Sequence, residues 1–160
     1  MESETNCAHV SKKDSIEKHF NTVYKLALSQ MKSKSAADDI TQEVFLRFIK
    51  TDKPFENDEH IKAWLIRVTV NCCKSAFTSS HSTRTVPLSE EIVFEEKEKG
   101  DVYYAVAELP QKYKTVIHLF YYEDLSVSQI AKYLGTKEST VKSQLHRGRE
   151  MLKVKLKGAI

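Results

Sequence analysis

The 160-residue sequence predicts an all-α fold made of two small helical domains joined by a flexible linker. Three observations predict it. Only four Gly and three Pro are present, too few for a chain rich in turns. Apolar residues recur in three- and four-residue steps, the period of one helical face. Between two such regions lies a polar, acidic stretch with no period. The length suits one ordinary domain or two very small ones. The expected boundaries are 10–78 for the first domain, 79–100 for the linker and 101–160 for the second.

In the first domain, Asp14-Ser15-Ile16-Glu17 has capping-box spacing and predicts a helix start. Ile16, Phe20, Val23, Tyr24, Ala27 and Met31 form its apolar stripe. Ser35 is the predicted cap of a second helix, with Ile40, Val44, Phe45, Phe48 and Ile49 inward. Its other face carries Asp38, Asp39, Gln42, Glu43 and Arg47, and Lys53-Pro54 ends it. A third helix from about Asp58 places Ile61, Trp64, Leu65, Val68 and Cys72 on one side and fades near Phe77. Trp64 lies on that stripe and reads as core. The following connector is polar, β-branched and acidic, about 22 residues long, which is long enough to be functional or disordered.

The second domain is the more informative. Leu109-Pro110 opens a helix with Val116, Ile117, Phe120 and Tyr121 as its core face. Ser126-Val127-Ser128-Gln129 is a capping box, and Leu125 with Ile130 makes a hydrophobic staple. Gly135 supplies the positive φ that stops this short helix. Thr136-Lys137-Glu138 turns the chain into another helix, expected from Ser139. Ala131, Gly135 and Val141 stand at the spacing of a helix-turn-helix: a close approach, a turn and a lock. Lys142, Ser143, His146 and Arg147 then face outward, with Lys137, Ser139 and Thr140 at the helix start. Such side chains reach base edges in a major groove while the helix N-terminus meets phosphate.

Charge supports this reading. Residues 126–157 carry eight Lys or Arg against two acids, a net of +6, while 90–101 carry six acids against two Lys, a net of −4. A basic end behind an acidic connector suits a polyanion partner. Other classes find no support. Cys7, Cys72 and Cys73 make no disulfide framework, and vicinal cysteines such as 72 and 73 rarely bridge. No CxxC or HExxH spacing points to a metal, no GxSxG or P-loop points to catalysis, and the six His are scattered. No metal, cofactor or catalytic residue is expected. The longest apolar run, 116–122, is too short to span a bilayer, and no secretion signal is legible at the N-terminus. The expectation is a cytosolic protein that is not an enzyme.

Residues 126–153, SVSQIAKYLGTKESTVKSQLHRGREMLK, closely resemble the −35-reading motif of sigma-70 family factors. AADDITQEVFLRFIK (36–50) resembles their polymerase-docking segment, and HIKAWLIRVTVNCCKSAF (60–77) the segment that melts and reads the −10 element. With no extra domain in view, the likeness is to the extracytoplasmic-function group. The resemblance implies that Asp38, Asp39, Gln42, Glu43 and Arg47 contact core RNA polymerase. It implies −10 contacts from Arg67, Asn71 and Lys74, with Ser79, Ser80, His81, Ser82 and Arg84 near a flipped, unstacked base. The −35 contacts fall on Lys137, Ser139, Thr140, Lys142, Ser143, His146 and Arg147. Ser75 stands where relatives commonly carry an acid, and Gln144 where arginine is common. The implied partners are core polymerase, promoter DNA and, where one exists, an anti-sigma factor. The competing reading is a stand-alone helix-turn-helix regulator that binds duplex DNA by itself.

Overall fold

The computed structural model describes residues 2–80 and 100–158, the side chains of 2–11, 79, 80, 100, 101, 103 and 158 excepted. Among these residues the chain is helical without strands. The helices are α1 (Glu2–Met31), α2 (Lys34–Lys50), α3 (Asp58–Ser80), α4 (Gly100–Ala107), α5 (Gln111–Tyr121), α6 (Val127–Leu134) and α7 (Glu138–Gly158). The expected connector falls almost wholly in 81–99, outside the described residues.

Several boundaries differ from those expected. α1 begins at Glu2, so the Asp14 capping box lies inside a continuous helix. α2 is capped by Ser33 rather than Ser35: its backbone is extended and its Oγ accepts from the Ala36 amide at 3.2 Å. The cause is Lys32, whose φ of 59° ends α1 and leaves Ser33 as the first extended residue before the new helix. Asn57 precedes α3, its Oδ1 accepting from the His60 amide at 2.8 Å, and α3 runs past Phe77 to Ser80. Pro110 is the N-cap of α5 rather than its first helical residue. α7 starts at Glu138, one residue before the expected Ser139.

The first three helices enclose Val23, Ala27, Ala37, Ile40, Val44, Phe45, Phe48, Leu65, Cys72 and Cys73. Trp64 packs with Phe48 and Phe55, ring centroids 5.9 and 5.7 Å away, as a core residue does. Phe20 and Ile49 depart from their predicted stripes and are 45% and 53% exposed.

A second core crosses between the halves. Leu26, Ile66 and Val70 join Leu109, Val116, Leu119, Ile130, Tyr133, Val141 and Leu145 in one buried cluster. The halves pack on each other, α1 on α5 and α3 on α6. Burying each of the three first-half side chains contributes about 1.5–3 kcal/mol, which is ample reason for the halves to close.

Candidate nucleic-acid interface

The helix-turn-helix is built as its sequence requires. Ser126 Oγ accepts from the Gln129 amide at 3.1 Å, and Gln129 Oε1 accepts from the Ser126 amide at 2.9 Å. Gly135 sits at φ 68°, and the Thr136 amide reaches back to the Ala131 carbonyl at 2.9 Å. Val141 and Leu145 are buried against α6. One consequence is geometric: with those two residues inward, Lys142, Ser143, His146 and Arg147 are exposed on the opposite side. Lys137, Ser139 and Thr140 are exposed around the N-terminus of α7. All seven −35 candidates thus share one open surface.

Arg147 also has a tie within the fold. The Arg147 guanidinium, with Lys112 beside it, holds the Tyr113 hydroxyl below the usual phenol range. Two further residues in α7, not singled out from sequence, set its angle. A Cβ on Gly148 would come within 3.1 Å of Ile117 Cγ1, so glycine lets α7 and α5 approach closely. Arg149 donates from Nε to the Tyr121 hydroxyl at 2.7 Å and lies over the Phe120 ring at 5.5 Å. The legible hint was glycine inside an otherwise strong helical stretch.

The −10 candidates behave differently. Arg67, Asn71 and Lys74 are exposed and one turn apart along α3. Opposite them stand Lys112, Thr115, Leu134, Thr136 and Gln144 of the second half, enclosing a cleft of about 170 Å³. The Ser79 and Ser80 side chains, His81, Ser82 and Arg84 lie outside the described residues.

On α2, Asp38, Asp39, Gln42, Glu43 and Arg47 are all exposed. Arg47 donates from Nε to Glu43 at 2.8 Å, and that bond raises its pKa. Asp38 and Gln42 also edge an open groove with Ile16, Phe20, Phe45, Leu46 and Ile49. Leu46 is 49% exposed, so the face offers apolar area beside charge. Sequence reasoning missed this, having placed Phe20 and Ile49 in the core.

Among the described residues no group of His, Cys, Asp and Glu is arranged to hold a metal ion, and no helix is long and apolar enough to cross a membrane.

The family model for sigma-70 region 2 matches residues 16–83, and that for sigma-70 region 4 matches residues 99–152. RNA polymerase sigma factor SigV of Bacillus subtilis is 32% identical over 144 residues, covering 86% of each chain. ECF RNA polymerase sigma factor SigW of the same species is 27% identical, covering 90% of this chain and 88% of its own. Among solved structures, the sigma factor RpoE of Bartonella quintana, in complex with the anti-sigma factor NepR, superposes with a TM-score of 0.69 at 20% identity. That likeness covers 91% of this chain and 96% of the other. The two matched regions, in that order, are the two helical halves described above, and the chain belongs to the sigma-70 family of RNA polymerase sigma factors, in its extracytoplasmic-function group.

Proposed function

We propose that this chain binds core RNA polymerase through α2, reads the −10 element with α3 and the −35 element with α7, and so directs promoter-specific initiation. The observation that carries the proposal is the complete helix-turn-helix, with its cap, left-handed glycine and buried valine, inside the region 4 match. Asp38, Asp39, Gln42, Glu43 and Arg47 form the polymerase contact, where mixed acid, amide and guanidinium suit a charged partner helix. Arg67, Asn71 and Lys74 make the −10 contact, with Ser79, Ser80, His81 and Arg84 completing it. Lys142 and Ser143 carry most of the −35 specificity, while Arg147 positions the helix, in keeping with its place beside Tyr113. The protein acts in the cytoplasm, where the polymerase is, and contributes binding rather than chemistry. An anti-sigma factor is its expected inhibitor, as the neighbouring solved complex has one.

Run-off transcription from genomic fragments with core enzyme tests the whole reading: defined start sites are expected only when the chain is added. Reversing Asp39 and Glu43 to Lys tests the polymerase face. Both are exposed, so helix content by circular dichroism should hold while capture by core enzyme falls several-fold. Undiminished capture of the folded double variant would remove α2 as the docking face.

A further inference from the structure

The cleft beside α3 has a composition that DNA contacts explain only by half. Arg67, Asn71 and Lys74 reach it from one face of α3, one helical turn apart in each step. Lys112 stands opposite them on α5, Thr136 in the turn before α7, and Gln144 within α7. Those three belong to neither set of proposed DNA contacts. They turn an open helix face into a walled pocket of about 170 Å³.

Charge in this pocket is one-sided. No carboxylate lines it. Among the described residues, Arg67, Lys74 and Lys112 have no ion-pair partner, whereas Lys18, Arg47, Lys153 and Lys155 each have one. Like charges gathered without an acid repel one another, and a bound anion reverses the sign of that energy. The Arg67 guanidinium is drawn in close, its Nη2 within 3.2 Å of where a Cβ on Gly135 would stand. The bare glycine leaves it that room.

Hydrogen bonding is one-sided as well. Thr115, which lines the cleft, donates from its hydroxyl to the Gln111 carbonyl at 2.8 Å and lies 3.1 Å from Gln30 Oε1. Each of these glutamines has a buried Nε2 with no hydrogen-bond partner, and Gln30 is wholly buried. Buried polar atoms are ordinarily paired, so the surroundings of Thr115 are short of acceptors.

Size and charge narrow the ligand. The pocket is several times the ~30 Å³ share of one water, yet below the roughly 300 Å³ at which organic ligand pockets begin. Three cations exceed the charge of a single phosphate group, about −1.5 to −2 at pH 7. From the size of the pocket, its three unpaired cations and the missing acceptors beside Thr115, we infer that the cleft binds a diphosphate. The group arrives as inorganic pyrophosphate or as the end of a nucleoside diphosphate whose base stays outside. Arg67 forks onto phosphate oxygens, Lys74 and Lys112 neutralise the remaining charge, and Asn71, Thr136 and Gln144 orient the group. This site stands on the cleft alone and does not depend on which promoter element α3 reads.

Isothermal titration calorimetry of the full chain at fixed ionic strength tests it, with inorganic pyrophosphate, inorganic sulfate and ADP as probes. Pyrophosphate should bind one to one and at least tenfold more tightly than sulfate, as expected of charged hydrogen bonds. ADP as tight as pyrophosphate would name a nucleotide end as the ligand, and weaker ADP the free diphosphate; either keeps the site. Lys112→Ala is the sharpest variant, because Lys112 is exposed and outside both DNA-contacting sets. Its pyrophosphate affinity should fall roughly tenfold or more, and Lys112→Arg should restore most of the loss. Lys53→Ala removes an equal charge from the exposed loop after α2 and should bind as the parent does. The Lys112 ammonium also lies 5.0 Å from the centre of the Tyr113 ring. Should Lys112→Ala shift the melting transition without ligand, Lys112→Met keeps the aliphatic stem there and gives the same readout. Absent pyrophosphate binding, equal affinity for sulfate, or equal weakening by Lys53→Ala and Lys112→Ala would each overturn the site.

Discussion

The two helices proposed to read DNA meet opposite circumstances. α7 presents Lys142, Ser143, His146 and Arg147 to solvent, secured from behind by Val141 and Leu145. α3 presents Arg67, Asn71 and Lys74 toward a cleft whose other wall is the second half of the chain. The difference follows from what surrounds each helix. α7 packs through the stripe of Val141, Leu145 and Gly148 and keeps those four side chains exposed. α3 is a middle layer, burying Leu65, Cys72 and Cys73 in the first core and Ile66 and Val70 in the second. A helix with two apolar faces is sandwiched, and Arg67, Asn71 and Lys74 stay exposed on the strip between them.

The largest expected effect sharpens the one-stripe description of α7. Val141 is fully buried, so Val141→Asp should place an unpaired carboxylate in the second core and cost on the order of 4 kcal/mol or more. Loss of the second half's melting transition by circular dichroism would show this. Arg147→Ala, on the exposed side, should leave the transition nearly in place. Binding of a −35 duplex by Arg147→Ala should weaken for every sequence alike, with a salt slope smaller by about one. Lys142→Ala should instead cost about 1–3 kcal/mol selectively, at one base position. Unchanged binding by both variants across a promoter panel would show that α7 is not the reader.

A smaller effect probes the sandwich through pH. His118 of α5 is buried, and its Nε2 has no hydrogen-bond partner, Glu123 being 4.0 Å away. Burial, with Lys25 of α1 adding to it, lowers its pKa to about 4. The Tyr122 ring at 5.4 Å and Glu123, itself bonded to Thr22, complete the surroundings. A histidine with a depressed folded pKa binds fewer protons in the folded chain than in the unfolded one. Its stabilisation is therefore whole above pH 6.5 and lost as pH falls from there toward 4. At pH 5 the folded chain should be less stable by about 2 kcal/mol than at pH 7. Scattering or thermal melting across that range would reveal the change, and His118→Leu should flatten it. A pH step that persists in His118→Leu would place the responsible group elsewhere.

The smallest effect concerns the turn itself. Ser126→Ala removes the acceptor for the Gln129 amide and should lower the second half's stability by about 1 kcal/mol. A shift beyond about 2 kcal/mol would mean that the cap also supports the interface with α3.

The contrast between the helices explains what was legible in the sequence. The helix-turn-helix could be read almost to the residue, because its cap, glycine and valine act over 16 positions of continuous chain. The stripes of α2 and α3 were readable for the same reason. Less visible was anything decided by a distant segment. Ser33 rather than Ser35 caps α2 because Lys32 adopts a positive φ, which no periodicity announces. Ile66 and Val70, four apart and off the main stripe, were a trace of the second core. Gln30 and Lys114 carried no hint at all, since a polar pair 84 positions apart is recognised only once both are buried together.

Lys114 gives the contact between the halves an electrical character of its own. Burial, with Lys32 adding to it, brings its pKa down to about 8, and the ammonium lies 5.7 Å from the centre of the Phe77 ring. Packing the two halves together therefore carries the cost of desolvating this charge, offset by the Gln30 carbonyl at 3.0 Å and by the face of the Phe77 ring.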